Sequence, residues 1–222
     1  MLLFSKSSKK LISSGCSWTY QRKNKTNWPE HLAAKLEMEH INVGKAGSGN
    51  EGIYQRMVDV LSSTKNIGLA VCLWSNSNRW DFYNKSFSPR VFPEELKKYA
   101  DSKYNLEKSL RWFNAFQNFC ECNDIPFIQA QGIYPINSSF WEDDKDRISQ
   151  IKCMIDYPIY NYIKRNTFLG WPIFKEIGGF TMSDKLNKSL RVSEIDTHPN
   201  EKGHKYLAEI FYKHYKLVYG DL

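Results

Sequence analysis

The sequence predicts an α/β protein built on a parallel sheet. Short apolar runs alternate with segments whose apolar residues recur at helical spacing. The clearest run, Ile67–Leu73, is apolar throughout and reads as a buried strand. Small-residue turns follow predicted strands, at Gly15-Cys16-Ser17 and at Gly44–Gly49.

In chain order, Lys10–Ser14 is a short first strand ending in the Gly15-Cys16-Ser17 turn. Trp28-Pro29-Glu30 opens a helix, with Pro29 in the first turn, where no intrahelical N–H bond is lost. Ile41–Val43 is a second strand. Asn50–Thr64 is a helix with Ile53, Met57, Val60 and Leu61 on one face. Ile67–Leu73 is the third strand. Leu106–Asn123 is a helix that turns Leu110, Phe113 and Phe116 inward, and Ile125–Ala130 is a further strand. Glu201–Tyr219 is the last helix, its buried stripe expected to hold Leu207, Ile210, Phe211, His214 and Leu217. Two stretches break the alternation. Residues 77–104 are polar and aromatic and carry Pro89 and Pro93. Residues 134–192 hold one amphipathic helix over about 144–165, then Trp171-Pro172 and Gly178-Gly179. Both follow strand ends on the side where the motifs lie. They are expected to be insertions that wall or cover a site in a single domain spanning 1–222.

Composition narrows the class. The 222 residues can bury a full core, and 41% hydrophobic with 25% charged residues is a globular balance. The net charge of +7 comes from scattered lysines, which read as a solvated surface rather than a nucleic-acid interface. The five cysteines have no regular spacing; Cys120-x-Cys122 is too tight for a zinc knuckle, and Cys72 sits in an apolar strand. All five read as reduced thiols of a cytoplasmic protein. Ser14-Gly15-Cys16 lacks the preceding apolar segment of a lipoprotein signal, and no apolar run is long enough to span a membrane. There is no H-E-x-x-H and no other metal-ligand cluster, so no metal is expected, and the serine chemistry read below would need no organic cofactor.

The chemistry-bearing residues stand in four separated blocks. Ser17 follows the first strand on a Gly-x-Ser turn. A Gly-rich turn, Gly44-Lys45-Ala46-Gly47-Ser48-Gly49-Asn50, follows the second, and lacks the Walker spacing of a phosphate loop. Asn76 follows the third. Asp196-Thr197-His198-Pro199 precedes the last helix. A serine hydroxyl is a weak nucleophile that needs an adjacent base, and a histidine base needs an orienting carboxylate. Ser17, His198 and Asp196 supply those three groups. Each has a plainer reading: Ser17 as a helix cap, Asp196 or Asn200 as the cap of the last helix, Asn50 as the cap of the second. Cys16 is an alternative nucleophile, and Glu194 an alternative carboxylate. His31, His40, His204 and His214 are read as structural.

The four blocks resemble the SGNH hydrolases, or GDSL-type esterases, named for a Ser, a Gly, an Asn and a His in this order. The resemblance implies a three-layer αβα, flavodoxin-like fold with a parallel sheet of about five strands. It implies Ser17 as nucleophile, His198 as base and Asp196 as its orienter. The oxyanion donors would be the Ser17 and Gly47 N–H groups and the Asn76 amide, with Asn78 as the rival to Asn76. The sequence departs from the family in two places. Cys16 stands where the family has Asp, and Asp196 is two residues before the histidine rather than three. The expected activity is hydrolysis of a short-chain ester through an acyl-enzyme. The aromatic insertions suit an O-acetylated carbohydrate. The alternative is a non-catalytic ligand- or carbohydrate-binding protein on the same fold.

Overall fold

The computed structural model describes residues 8–20, 25–82, 85–87, 101–135 and 144–220. Its main sheet has five parallel strands in the order β2-β1-β3-β6-β7. They are β1 (Lys10–Gly15), β2 (Glu39–Asn42), β3 (Ile67–Trp74), β6 (Phe127–Gln131) and β7 (Phe168–Leu169). An antiparallel hairpin, β4 (Trp80–Phe82) with β5 (Lys85–Phe87), stands apart from it. In register, Ile12 of β1 faces Ile41 of β2 and Ala70 of β3, and Cys72 of β3 faces Gln129 of β6.

Successive strand residues point to opposite faces. Along β3, Ala70, Cys72 and Trp74 join one core cluster while Leu69, Val71 and Leu73 join another. This is why β3 reads as an unbroken apolar run: both faces are covered. One cover consists of α1 (Trp28–Lys35) and α6 (Glu201–Tyr219). Trp28 of α1 stacks on Phe211 of α6, with ring centroids 4.6 Å apart. The other cover is α2 (Asn50–Ser63), α3 (Ser102–Cys122) and α4 (Asp144–Asp156). Ile53, Met57, Leu110, Phe113 and Phe116 are fully buried there. A short helix, α5 (Met182–Lys185), precedes α6.

The structure corrects the sequence reading in four places. The fifth strand, β7, lies inside the stretch read as an insertion at 134–192; two residues are too few to carry a strand pattern. The helix expected over about 144–165 ends at Asp156, because Pro158 opens a 3₁₀ turn, Pro158–Tyr162. The buried stripe of α6 is Leu207, Ala208, Phe211 and Tyr215, which leaves Leu217 82% exposed. Aromatic residues of the second stretch fill the core instead of lining a cleft: Trp171 packs on Phe168 and Tyr160, and Phe168 packs on Phe113. Pro89, Pro93 and most of 77–104 lie outside the described residues. All five cysteines are free, and burial raises the Cys72 and Cys120 thiols well above their ordinary range. Among the described residues, no helix is long and apolar enough to cross a membrane.

Candidate active site

The carboxyl ends of β1, β2 and β3 meet at one edge of the sheet, and the loop before α6 reaches the same edge. Beyond Gly15 the chain turns tightly: the Thr19 and Tyr20 N–H groups both donate to the Cys16 carbonyl, at 3.0 and 2.9 Å. Gly15 is needed here, because a Cβ would stand 2.1 Å from Thr19 Oγ1. The Thr19 carbonyl accepts from Asn42 Nδ2 at 2.7 Å and Asn27 Nδ2 at 2.9 Å. These bonds stitch the turn to the end of β2 and the start of α1. Cys16 and Trp18 are buried on either side of a half-exposed Ser17. The alternative nucleophile Cys16 is therefore a core residue.

Ser17 Oγ lies 2.7 Å from His198 Nε2, and His198 Nδ1 lies 2.6 Å from Asp196 Oδ1. The two-residue spacing works because Asp196 folds back over its own loop. Its Oδ1 also accepts the His198 backbone N–H at 3.1 Å, an Asx turn. The Asp196 N–H donates to Ser193 Oγ at 2.8 Å, and the Ser193 N–H donates to the Asp196 carbonyl at 3.0 Å. Trp18 stands beside the imidazole, with ring centroids 6.5 Å apart. The alternative carboxylate, Glu194, is ion-paired with Lys188 at 2.6 Å. Asn200 caps α6, accepting the Gly203 N–H at 3.0 Å, so the cap and the carboxylate are different residues.

The Gly-rich turn is held from both sides. Asp81 of β4 accepts the Gly49 and Gly52 N–H groups at 2.8 and 2.9 Å. Arg56 of α2 donates to the Val43 carbonyl at 2.9 Å and to Ser48 Oγ at 2.7 Å. Burial lowers the Arg56 pKa, and Asp81 opposes that shift. Gly47, at the exposed crest, has φ 81, a left-handed conformation that disfavours any side chain. Asn50 does not cap α2. Its Oδ1 accepts the Ser75 N–H at 2.8 Å and its Nδ2 donates to Ser109 Oγ at 3.0 Å, joining the end of the Gly-rich turn to the residue before Asn76. Asn76 is buried. Its Oδ1 accepts the Asn78 N–H at 2.9 Å and its Nδ2 donates to the Tyr134 carbonyl at 3.0 Å, which fixes the amide's orientation and leaves one N–H. The rival Asn78 is tied to α3 through Ser102 and Asn105.

Beside Ser17 and His198 opens a cavity of about 550 Å³, lined among others by Tyr20, Lys25, Val192 and His204. His204, read from sequence as packing, faces this cavity from the first turn of α6, and its Nδ1 accepts the Trp28 N–H at 3.3 Å. The sequence reading missed Asp81, Arg56 and this lining; only the Asn before each helix and strand end gave a signal, and a weak one.

No protein-family model matches the sequence, and no curated protein matches it. Solved structures do. One is the psychrotrophic esterase EstA from Pseudoalteromonas sp., at TM-score 0.56 and 13% identity, covering 94% of this chain and 97% of that one. Another is a variant of Axe2, an acetyl-xylooligosaccharide esterase from Geobacillus stearothermophilus, at TM-score 0.55 and 16% identity, covering 93% of each chain. A third is a protein of the lipolytic G-D-S-L family from Desulfitobacterium hafniense DCB-2, at TM-score 0.51 and 18% identity, covering 93% of this chain and 99% of that one. The chain has the SGNH-hydrolase fold. Within that fold, Ser17, Gly47 and Asn76 follow three adjacent strands, β1, β2 and β3, and His198 reaches the same edge from the loop before α6. The SGNH-hydrolase fold thus gathers at one sheet edge residues that are up to 181 positions apart.

Proposed function

We propose that this protein is a serine esterase of the SGNH type, acting on a short-chain ester, with an O-acetylated carbohydrate as the candidate substrate. The observation that carries this reading is the hydrogen-bonded chain from Ser17 Oγ through His198 to Asp196, at 2.7 and 2.6 Å. Ser17 Oγ attacks the ester carbonyl carbon as His198 Nε2 takes its proton. Asp196 accepts from Nδ1–H, which keeps Nε2 unprotonated before attack and balances the imidazolium afterwards. Negative charge gathers on the carbonyl oxygen, where the Ser17 and Gly47 N–H groups and the remaining Asn76 N–H receive it. Preorganised donors of this kind are worth about 2.7–4 kcal/mol each. His198 returns the proton to the departing alcohol, and a water activated by the same nitrogen then hydrolyses the acyl-enzyme. The esterase names of the solved relatives EstA and Axe2 support the same class.

The test is hydrolysis of a short-chain chromogenic acetate by wild type and Ser17→Ala, with fluorophosphonate labelling of both. Turnover and labelling that vanish together in Ser17→Ala are the expected result. Equal rates in both proteins would remove Ser17 as nucleophile. Neither turnover nor labelling in wild type would favour a non-catalytic binding protein.

A further inference from the structure

Asn76 to Asp81 is one short segment whose successive side chains reach opposite ways. Asn78 and Trp80 face α3. Asn78 Nδ2 donates to Ser102 Oγ at 3.3 Å, Asn78 Oδ1 accepts from Asn105 Nδ2 at 3.2 Å, and Trp80 Nε1 donates to Asn105 Oδ1 at 3.1 Å. Arg79 and Asp81 face the Gly-rich turn. Arg79 Nη1 donates to the Ser48 carbonyl at 3.3 Å, and the two Asp81 oxygens accept the Gly49 and Gly52 N–H groups at 2.8 and 2.9 Å. The segment is braced at its start, where the Asn76 carbonyl accepts the Arg79 N–H at 3.2 Å. It thus links Asn76 at one end to the turn that carries Gly47 at the other.

Two glycines make room for this grip. A Cβ on Gly49 would stand 2.6 Å from Asp81 Oδ2 and 2.7 Å from the Arg79 carbonyl oxygen. A Cβ on Gly52 would stand 3.0 Å from Asp81 Oδ1. Backbone approach this close is open to glycine alone. Oxyanion donors act only when they are fixed in advance where the charge will appear. Gly47 and Asn76 follow different strands, β2 and β3, so their spacing depends on what joins the two loops.

We propose that Asp81 is a positioning residue for the reaction: its carboxylate sets the spacing between the Gly47 N–H and the Asn76 amide. The inference rests on the serine-esterase reading above. Charge and position pull opposite ways here. A carboxylate beside a developing oxyanion opposes it through space. If Asp81 acted by charge alone, removing it would raise the rate. If it acts by position, removing it lowers the rate.

The test compares wild type, Asp81→Ala and Asp81→Asn on 4-nitrophenyl acetate. In Asp81→Ala, kcat should fall about 10- to 100-fold, short of the roughly 10²–10³ of deleting a donor outright, with KM within about twofold. The rate constant of fluorophosphonate labelling should fall with it, because the phosphoryl oxygen takes the carbonyl oxygen's place among the same donors. Asp81→Asn keeps one acceptor and should lower kcat by a smaller factor; it also serves if the alanine variant does not fold. Tyr219→Phe is the control for stability. It removes two bonds to Phe127, at 2.8 and 2.9 Å, where β6 begins at the opposite edge of the sheet. It should lower the thermal midpoint and leave kcat unchanged. A kcat that is unchanged or raised in folded Asp81→Ala or Asp81→Asn would overturn the proposal. So would a fall in kcat that Tyr219→Phe reproduces. Loss of the esterase reading looks different and takes the proposal with it: no turnover in wild type, or turnover that survives Ser17→Ala.

Discussion

At the scale of single residues, the spacing of Asp196 and His198 is the most informative departure. Two residues suffice because one carboxylate oxygen accepts both the backbone N–H and the Nδ1 of His198. Asp196→Asn tests what the carboxylate adds beyond shape. Asparagine keeps the size and shape of the side chain. With its amide N–H turned to Nδ1 it would place the ring proton on Nε2, which could then no longer take a proton from Ser17. The expected result is a fall in kcat of about 10³–10⁴ with an unchanged thermal midpoint. Steady-state kinetics beside a melting curve checks it; a kcat within tenfold of wild type would mean that Asp196 only shapes the loop.

At the scale of elements, the Gly-rich turn and the end of β3 are held in register by one buried side chain, Asn50, 4% exposed at the start of α2. Asn50→Ala leaves the Ser75 N–H without its acceptor inside the protein, a loss of about 1–3 kcal/mol. Because Ser75 precedes Asn76, kcat should fall about tenfold with KM little changed, since misaligned donors act on the transition state more than on the ground state. Denaturant unfolding and steady-state kinetics read the two effects separately; a loss of stability with full kcat would confine the bridge to folding. Asn50 also shows where sequence reading stops. A residue at the first position of a helix looks like a cap, and only the tertiary structure brings Ser75 and Ser109 to it. The strands β1 and β3 and helices α2, α3 and α6 were legible because each carries its own apolar pattern, and Ser17 and His198 because each stands beside a strand or helix end. β7 was not legible, being two residues long. The cavity lining was not, because it joins side chains from both ends of the chain. Asp81 was not, because a lone carboxylate in a hairpin carries no spacing.

At the scale of the whole molecule, half-buried histidines tie stability to pH. His40 sits on the edge strand β2, with Nε2 3.1 Å from Ser13 Oγ, and burial lowers its pKa from 6.5 to about 4. His31 and His214 are also lowered, in both cases chiefly by burial; Lys205 adds to the effect on His31 while Glu30 and Glu201 oppose it. The sign follows from proton counting. Between about pH 6.5 and 4 the unfolded chain binds a proton at the His40 ring more readily than the folded protein, so each fall in pH favours unfolding. The contribution of His40 is fully present above pH 6.5 and is lost progressively towards pH 4. The net charge of +7 grows further as carboxylates take up protons, and adds self-repulsion in the same direction. A comparison of wild type with His40→Asn removes that shared term. Asparagine can still bond to Ser13 and does not titrate. The melting temperature of both proteins should fall between pH 7.5 and 5, and that of the variant by about 2–4 °C less, a modest difference because the ring is partly solvated. Equal falls would show that His40 takes up its proton in the folded protein as readily as in the unfolded chain.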